Sequence, residues 1–434
     1  MNHLPADWKI DRLKDVALIN GFSLPANTDP DYEFDYLEIS NVNYYGVIDV
    51  NAIEWLRYEN APSRARRRVG KNSTIISSVR PNLQSVAFLD GRSNLVCSTG
   101  FNVVQAHEKT LHPKFVYYAL VSEGCRQYFE ATAKGVGYPA VDDKDFNSFP
   151  IPLPPLPEQE RIVAYLDASC AAIDAAVAAK RRQIDTLDAL RKSTITRAVT
   201  RGLDPGVRLA ASGHDWLAEI PEHWTAPCLK RLLREPLTYG LNEAAELEDR
   251  DLPRYLRITD FDDSGTLRDD TFRSLPREIA REALLEANDV LFARSGATVG
   301  KTFMFRDYEG EACFAGYLIR ARTMPWKLNP LFLYHFTKTT AYEAWKNLVF
   351  TQATIQNISA LKYNYLAIPL PPLSEQQSIC NFVERKNSEF RQLSTQIERQ
   401  VETLVAYRKS LIHECVTGQR RISEEDLNRV KAHG

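Results

Sequence analysis

The chain has 434 residues, of which 44% are hydrophobic and 25% charged, and its formal net charge is −2. This composition is that of an ordinary globular protein, and it excludes a mainly disordered chain, a collagen-like fibre and a disulfide-rich miniprotein. At roughly 150 residues per domain, the length suggests about three domains. Because the net charge is close to zero, any surface that binds nucleic acid must be a local feature.

The seven cysteines form no CxxC pair. We therefore expect reduced thiols in a cytoplasmic protein rather than a disulfide framework or a zinc site. The eight histidines include no HExxH motif, so no metal site is predicted. The charged N-terminus lacks the apolar run of a signal peptide. No run of about 18 uncharged apolar residues is present, so no membrane-spanning helix is expected.

The sequence contains two copies of one repeated unit. The segment Ile151–Glu160 recurs 217 positions later as Ile368–Gln377, and Trp8 recurs 216 positions later as Trp224 within a similar Pro-x-x-Trp string. This period is far longer than that of a solenoid repeat. It indicates a tandem duplication that yields two similar domains related by an approximate two-fold axis.

Each copy has the same internal order. Short β-rich runs such as 73–79 and 289–293 alternate with turn residues. Helical runs follow at Pro113 and Pro330, and proline suits the first turn of a helix. A proline-rich extended string then leads into a long helix. We divide the chain at the boundaries 1–155, 156–202, 203–215, 216–372, 373–417 and 418–434.

The two long helices lack proline and glycine over about 158–201 and 375–417, and their apolar residues are spaced mostly by three and four. Ser374 and Gln377 fit a capping box at the start of the second helix. The predicted fold is α+β, with two tandem pseudo-symmetric α/β domains separated by two long helices that pair as an antiparallel coiled coil. The alternative is that each helix packs on its own domain.

No catalytic site is predicted. Gly296–Thr302 resembles a phosphate-binding loop, but three residues separate its glycines where four are needed. Lys134–Tyr138 is a lone GxG, which is not specific for a dinucleotide. Asp142–Lys144 has the D-x-K pattern of nucleases, which is short enough to occur by chance. We therefore expect a non-enzymatic protein with no cofactor of its own.

The order and spacing of these segments resemble the specificity (S) subunit of type I restriction–modification enzymes over nearly the whole chain. The specific matches are Ile151–Glu160, Ile368–Gln377 and the joining string from Thr196 through Pro205 to Trp224. The resemblance implies that 1–155 and 216–372 are target-recognition domains, each reading one half of a split double-stranded DNA sequence. It implies that 156–202 and 373–417 are central and distal spacer helices. Independently of the resemblance, Gly, Pro and Asp mark 203–215 as a connector, and we expect the charged tail 418–434 to be peripheral.

The same resemblance implies several partners. The spacer helices would dock two methyltransferase (modification) subunits, and restriction subunits would complete the nuclease and motor. S-adenosylmethionine, ATP and magnesium would belong to those partners. Two rival interpretations remain: a DNA-modifying enzyme that acts alone, and a coiled-coil scaffold with no role on DNA.

DNA contacts need cations for phosphates and polar side chains for base edges, and we expect both on loops. In the first domain the candidates are Arg64, Arg66, Arg67, Arg68, Arg80, Asn82, Gln84, Lys134 and Tyr138. In the second they are Arg294, Ser295, Thr298, Lys301, Gln352, Thr354, Gln356 and Asn357. Any one of them could equally be a solvated loop residue, and the run at 64–68 could equally contact a partner protein.

Overall fold

A computed structural model describes residues 4–43, 46–79, 85–90, 94–135, 139–262, 265–296, 298–351 and 357–433. The chain forms two compact units. Unit 1 runs to Arg181 and resumes at Glu398, and unit 2 spans Arg182–Ile397. Unit 1 is therefore assembled from both ends of the chain, and each long helix passes from one unit into the other.

Up to and including the first long helix, the elements are short strands and helices followed by one helix of 46 residues. In chain order they are β1 Lys9–Arg12, α1 Leu13–Val16, β2 Ala17–Ile19, β3 Glu33–Leu37, β4 Glu54–Arg57, β5 Ala65–Val69, β6 Ser73–Ser77, β7 Val86–Leu89, β8 Leu95–Ser98, β9 Phe101–Ala106, α2 Pro113–Val121, α3 Glu123–Thr132, α4 Asp143–Asn147, β10 Pro150–Leu153 and α5 Leu156–Arg201.

The remaining elements repeat much of this succession. They are β11 Leu209–Ala211, β12 Glu219–Pro221, β13 Thr238–Tyr239, β14 Arg254–Leu256, α6 Arg277–Ala280, β15 Val290–Ala293, β16 Thr302–Met304, β17 Ala312–Phe314, β18 Leu318–Ala321, α7 Pro330–Phe336, α8 Thr340–Thr351, α9 Ala360–Asn364, α10 Leu373–Val416 and α11 Glu424–His433.

The sheets confirm the duplication. In unit 1 an antiparallel sheet has the strand order β2-β9-β6-β7, and unit 2 repeats it as β13-β18-β15-β16. The parallel pair β3–β8 recurs as the parallel pair β14–β17. The central strands β6 and β15 are buried along their length, which suits their β-branched and apolar residues. The predicted α+β class with two tandem mixed domains is confirmed.

In unit 1 the two long helices pack antiparallel around a common core. The first half of α5 contributes Ile162 and Leu166 to the cluster that also holds Leu411 and Cys415 near the end of α10. Further along α5, Asp174 pairs with Arg408 at 3.1 Å. As α5 advances, its partners on α10 come earlier in the chain, so the two helices run in opposite directions.

In unit 2 the end of α5 packs with the start of α10. Val199 shares a core cluster with Ile379 and Val383. Gly202 follows α5 with φ +77° and Gly418 follows α10 with φ +75°. Glycine tolerates this left-handed conformation and ends each helix after its last turn. The predicted antiparallel pairing is therefore present inside each unit, together with packing of each helix on a domain core.

The middle of the apolar stripe is less buried than its ends. Ile162 and Ile379 are fully buried, whereas Leu393 is 45% exposed. Among the described helices, α5 is long and apolar enough to cross a membrane by length and composition, which the sequence analysis did not expect. Its larger apolar residues in unit 1, among them Ile162, Leu166 and Ile173, lie in the protein core, and core helices pass the same test.

The glutamine of the repeated Pro-Leu-Pro-Pro-Leu-x-Glu-Gln motif fastens the start of each long helix. Gln159 donates to the carbonyls of Thr110 and Pro154 and accepts from the amide of His112 at 2.8 Å. Gln376 makes the same three bonds in unit 2, to Lys327, Pro371 and Asn329. The motif therefore repeats because it holds the helix start against the loop before α2 or α7.

The predicted capping box is wrong. Helix α10 begins at Leu373, so Ser374 lies inside the first turn rather than at the N-cap. The side chain of Gln377 bonds to Asn329 and Asn381 instead of reaching back to the helix start. The C-terminal tail also differs from a purely peripheral segment, because Ile422 is buried in the core of unit 1.

Candidate nucleic-acid interface

In unit 1 the two candidate loops of the first domain meet. Val79, just after β6, forms an isolated β-bridge with Ala140, just after the glycine loop. The amide of Val141 donates to the carbonyl of Ser78 at 2.9 Å. The structure therefore joins two segments that lie about 60 residues apart in sequence. Four candidates of these loops lie outside the described residues: Arg80, Asn82, Gln84 and Tyr138.

Unit 2 brings together the corresponding loops in the same way. Ser295, just after β15, forms an isolated β-bridge with Asn357. The amide of Ile358 donates to the carbonyl of Arg294 at 2.9 Å. Three candidates lie outside the described residues: Gln352, Thr354 and Gln356. The meeting of a post-strand loop with a post-helix loop is thus a repeated feature of both domains.

Arg294 has an unusual environment at this junction. Its guanidinium carbon lies 4.7 Å from the centre of the Tyr239 ring, which is a cation–π contact. Its Nε is buried without a hydrogen-bond partner in the described part of the chain, and so is Oδ1 of Asn357. Two polar atoms on either side of the Ser295–Asn357 bridge are therefore left without an internal partner.

The segment 296–302 does not form a phosphate-binding loop. Its described residues, Gly296 and Thr298–Thr302, belong to an antiparallel hairpin that joins β15 to β16, in which Phe292 pairs with Thr302. A phosphate-binding loop leads from a strand into a helix, and the backbone here leads into a strand. Within this turn the amide of Lys301 donates to the carbonyl of Thr298 at 2.9 Å. Thr298, which is half-buried, and Lys301, which is exposed, therefore remain candidates as residues of this hairpin.

The arginine run of the first domain is a strand rather than the loop that was expected. Arg66, Arg67 and Arg68 lie in β5. Arg67 points inward and donates to the carbonyl of Phe101 and, at 2.8 Å, to the side chain of Asn102. Burial lowers the pKa of Arg67. The β5 strand thus gives this arginine a structural role, and its contact with phosphate stays a prediction.

The other three arginines differ from one another. The Arg66 guanidinium lies 4.9 Å from the ring centre of Tyr58. Arg64 pairs with Glu38 at 2.9 Å and is itself well exposed. Arg68 is exposed and has no side-chain hydrogen bond or ion pair within the described residues. Arg68 is therefore the cation of this strand that is best placed to meet a phosphate.

Lys134 is less available than the sequence suggests. Its ammonium lies 2.5 Å from Asp142 and 3.4 Å from Asp145. The hydrogen bond to Asp142 raises the pKa of Lys134, and the same bond lowers the pKa of Asp142 to about 2. Asp142 also caps α4 by accepting from the Asp145 amide at 2.8 Å. Asp142, the first residue of the nuclease-like triplet Asp142–Lys144, therefore caps a helix and pairs with Lys134.

Sequence reasoning missed Tyr239. Its side chain is 43% exposed, and its hydroxyl accepts a hydrogen bond from the amide of Ala360 at 2.9 Å. No motif marks this residue, which lies 55 positions before Arg294 in the sequence.

Across the described ranges, no group of three or more histidine, cysteine, aspartate or glutamate residues could hold a metal ion. The arrangement offers cations and hydrogen-bonding groups.

Comparison with known proteins finds a matching family and several relatives of this chain. Residues 5–184 and 276–403 match the family described as type I restriction modification DNA specificity domain. The type I restriction enzyme MjaVIII specificity subunit of Methanocaldococcus jannaschii is 24% identical over 420 residues, covering 90% of each chain. The EcoBI specificity subunit of Escherichia coli is 23% identical over 318 residues, covering 70% of this chain and 64% of its own.

Solved structures share the fold. A chain from a study of complex assembly and conformational transition in the type I R-M system aligns with a TM-score of 0.75 at 23% identity, covering 96% of this chain and 99% of that one. The HsdS subunit from Thermoanaerobacter tengcongensis aligns with a TM-score of 0.54 at 23% identity, covering 96% and 98%. The duplicated architecture is thus shared with these proteins over almost the whole length.

Proposed function

This chain belongs to the type I restriction modification DNA specificity family, and from that premise we propose that it selects the DNA target of such a system. Each recognition domain reads one half of a split, asymmetric sequence in double-stranded DNA. The observation that carries this proposal is the repeated loop junction, Val79–Ala140 in one domain and Ser295–Asn357 in the other. Two similar scaffolds with different side chains at the same junction suit two different half-sites.

The proposal assigns the covalent chemistry to partner subunits. The long helices α5 and α10 dock two methyltransferase subunits, and restriction subunits join to make the complete nuclease. S-adenosylmethionine, ATP and magnesium then act in those partners, in the cytoplasm. The names of the relatives favour this role, since each is called a specificity subunit of a type I restriction enzyme. A stand-alone enzyme or a DNA-independent scaffold has no comparable support.

The decisive experiment is co-expression with the modification subunit of the same system, followed by sequencing that maps methylated bases. We expect stable co-purification and methylation at one bipartite sequence. The purified chain alone, supplied with S-adenosylmethionine, should methylate nothing. Methyl transfer by the isolated chain, or methylation without sequence preference in the complex, would overturn the proposal.

The isolated chain should also bind DNA weakly. Its net charge is only −2, so counterion release should contribute little non-specific binding free energy. Partner subunits must therefore supply much of the surface around the duplex. Titration of a labelled duplex carrying the mapped sequence, at several salt concentrations, compares the chain with the complex. Equal affinity of the two would contradict this division of binding between subunits.

A further inference from the structure

We propose that Arg294 reads a guanine in the half-site of the second recognition domain, and that Tyr239 is the residue that positions it. This inference rests on the proposed function. It names one base in the target and one residue, Tyr239, that no sequence motif marks. The argument uses the backbone that holds Arg294, the contact that orients its side chain, and the charge that it leaves uncompensated.

The backbone of Arg294 is fixed on both sides. Its amide donates to the carbonyl of Tyr317 at 2.9 Å, and its carbonyl accepts from the amide of Ile358 at 2.9 Å. Ala293, the preceding residue, is the buried last residue of β15. The arginine therefore leaves the sheet from a rigid point at the loop junction. Rigid attachment lowers the entropy that must be lost when a flexible side chain binds a base.

The ring of Tyr239 holds the guanidinium of Arg294 in place. The cation lies over the ring at 4.7 Å, and the ring is itself held because its hydroxyl accepts from the Ala360 amide at 2.9 Å. Tyr239 also belongs to β13, which pairs with β18. A stacked guanidinium uses its flat face for the aromatic ring, so the N–H groups along its edge stay available for acceptors in the same plane.

Arg294 differs from Arg320 and Arg322 of the same domain in its charge balance. Arg322 pairs with Asp289 at 2.7 Å and Arg320 pairs with Glu235 at 3.0 Å. No ion pair involves Arg294 in the described part of the chain, and because its Nε is buried, the terminal N–H groups are the ones left for an external acceptor. A cation that is ordered by an aromatic ring but not neutralised by a carboxylate is suited to an external pair of acceptors.

The geometry selects guanine among the bases. In the major groove guanine presents O6 and N7, two acceptors that match the fork of an arginine. Adenine presents a donor beside its acceptor, so an arginine in the same place would lose one of the two bonds. A phosphate could also accept two bonds, but it would give no base preference, and the experiment below distinguishes the two.

The first domain shows that Arg294 is not part of the common scaffold. Ser78 occupies the equivalent position, since its amide donates to the carbonyl of Gly100 and its carbonyl accepts from Val141, both at 2.9 Å. The side chain of Ser78 turns back to the same Gly100 carbonyl. The backbone geometry is thus conserved between the domains while the side chain changes, as expected for a position that sets specificity.

The test uses the complex of the full chain with the modification subunits of its own system, and maps methylated sites on genomic DNA. Arg294→Ala should lose discrimination at one guanine position by about 5- to 150-fold, with the other half-site unchanged. Arg294→Lys should relax the same position, because lysine lacks the planar fork. Tyr239→Leu should relax the preference at that position only. Tyr239→Phe keeps the ring but loses the hydroxyl that holds it, so it should relax the preference less than Tyr239→Leu does.

Arg250→Ala is the matched control, since Arg250 is an exposed arginine of the same domain paired with Asp269 at 3.0 Å. It should leave every base preference intact. The proposal is overturned if Arg294→Ala and Arg294→Lys weaken methylation at all sites equally, which is the signature of a phosphate contact, or if they alter both half-sites. It is also overturned if Tyr239→Leu changes nothing. If the wild-type complex shows no bipartite site, the proposed function itself fails.

Discussion

The indole nitrogen of Trp224 donates a hydrogen bond to Oε2 of Glu375 at 3.1 Å, across 151 residues of sequence. The first domain repeats this bond between Trp8 and Glu158, at 3.2 Å. Each pair ties the N-terminal edge of a domain to the start of the long helix that follows it. The glutamate and the glutamine of the repeated motif are therefore both explained by packing and hydrogen bonding.

Replacing Gln376 should destabilise the second domain strongly. Its side chain is fully buried and satisfies two carbonyls and one amide. Gln376→Leu leaves those three groups without partners, so we expect a loss of about 3 kcal/mol or more in the free energy of unfolding. Gln377→Ala, at the exposed neighbour, is the control and should change it by no more than about 0.5 kcal/mol. Urea denaturation measures both, and similar losses would contradict the assignment.

Lys338 should make stability rise with pH. Burial, followed by the nearby charges of Lys301 and Arg191, lowers the pKa of Lys338 from 10.5 to about 8. Between these values the unfolded chain keeps a proton that the folded chain has released, so folding becomes more favourable as the pH increases. The wild-type melting temperature, relative to that of Lys338→Met, should therefore increase from pH 7.5 to pH 10.

The control for this experiment is Lys327→Met, at an exposed lysine of the same unit. It should follow the wild-type profile across the same range. Parallel profiles for the wild type and Lys338→Met would show that Lys338 does not titrate differently on folding. The hydrogen bond from its ammonium to the carbonyl of Thr302, 2.8 Å long, is lost in the variant at every pH and shifts the curve without changing its slope.

Adjacent arginines in β5 should behave in opposite ways. Arg67→Ala removes the donor to Phe101 and Asn102 and should cost about 1–3 kcal/mol of stability. Arg68→Ala should change stability by no more than about 0.5 kcal/mol. In the complex, Arg68→Ala should weaken binding to all DNA sequences by a similar factor. It should also reduce the slope of the logarithm of the affinity against the logarithm of the salt concentration by about 1. Thermal melts and salt titrations separate the two effects, and an unaltered salt slope in Arg68→Ala would remove it from the interface.

The sequence was informative wherever the signal was local or repeated. Prolines 113 and 330 begin α2 and α7 as predicted, and long runs free of proline and glycine marked both long helices. The orientation of Arg67 could not be read, because three successive arginines look alike until the strand register is known. A register shift between Ala65 and Arg67 decides which side chain points inward.

The candidate interface was predicted in part for the same reason. Loops rich in polar residues could be recognised one at a time, and the structure shows that they meet in pairs. The pairing of Lys134 with Asp142 depends on how the loop between them folds back, and the contact of Arg294 with Tyr239 depends on the path of the backbone between distant positions. No periodicity or spacing in the sequence encodes those contacts.

The last prediction concerns the long helices as a spacer. If α5 and α10 set the unread gap between the half-sites, lengthening both should lengthen the gap. A heptad inserted after Arg181 and another before Glu398 add about 10.5 Å of rise and keep the apolar stripe nearly in phase. With base pairs stacked at about 3.4 Å, the mapped target should gain about three unread base pairs.

Four-residue insertions at the same two places give a second length. They add about 6 Å, equivalent to about two base pairs, but they rotate the stripe by about 40° because a helical turn takes 3.6 residues. We therefore expect lower methylation activity and, in any active variant, a gap that is longer by about two base pairs. The control is a four-residue insertion within Gly202–Asp204, in the loop after α5, which should leave the gap unchanged. If every active variant keeps the parental gap, the helices do not set the spacing, and their role is confined to docking the modification subunits.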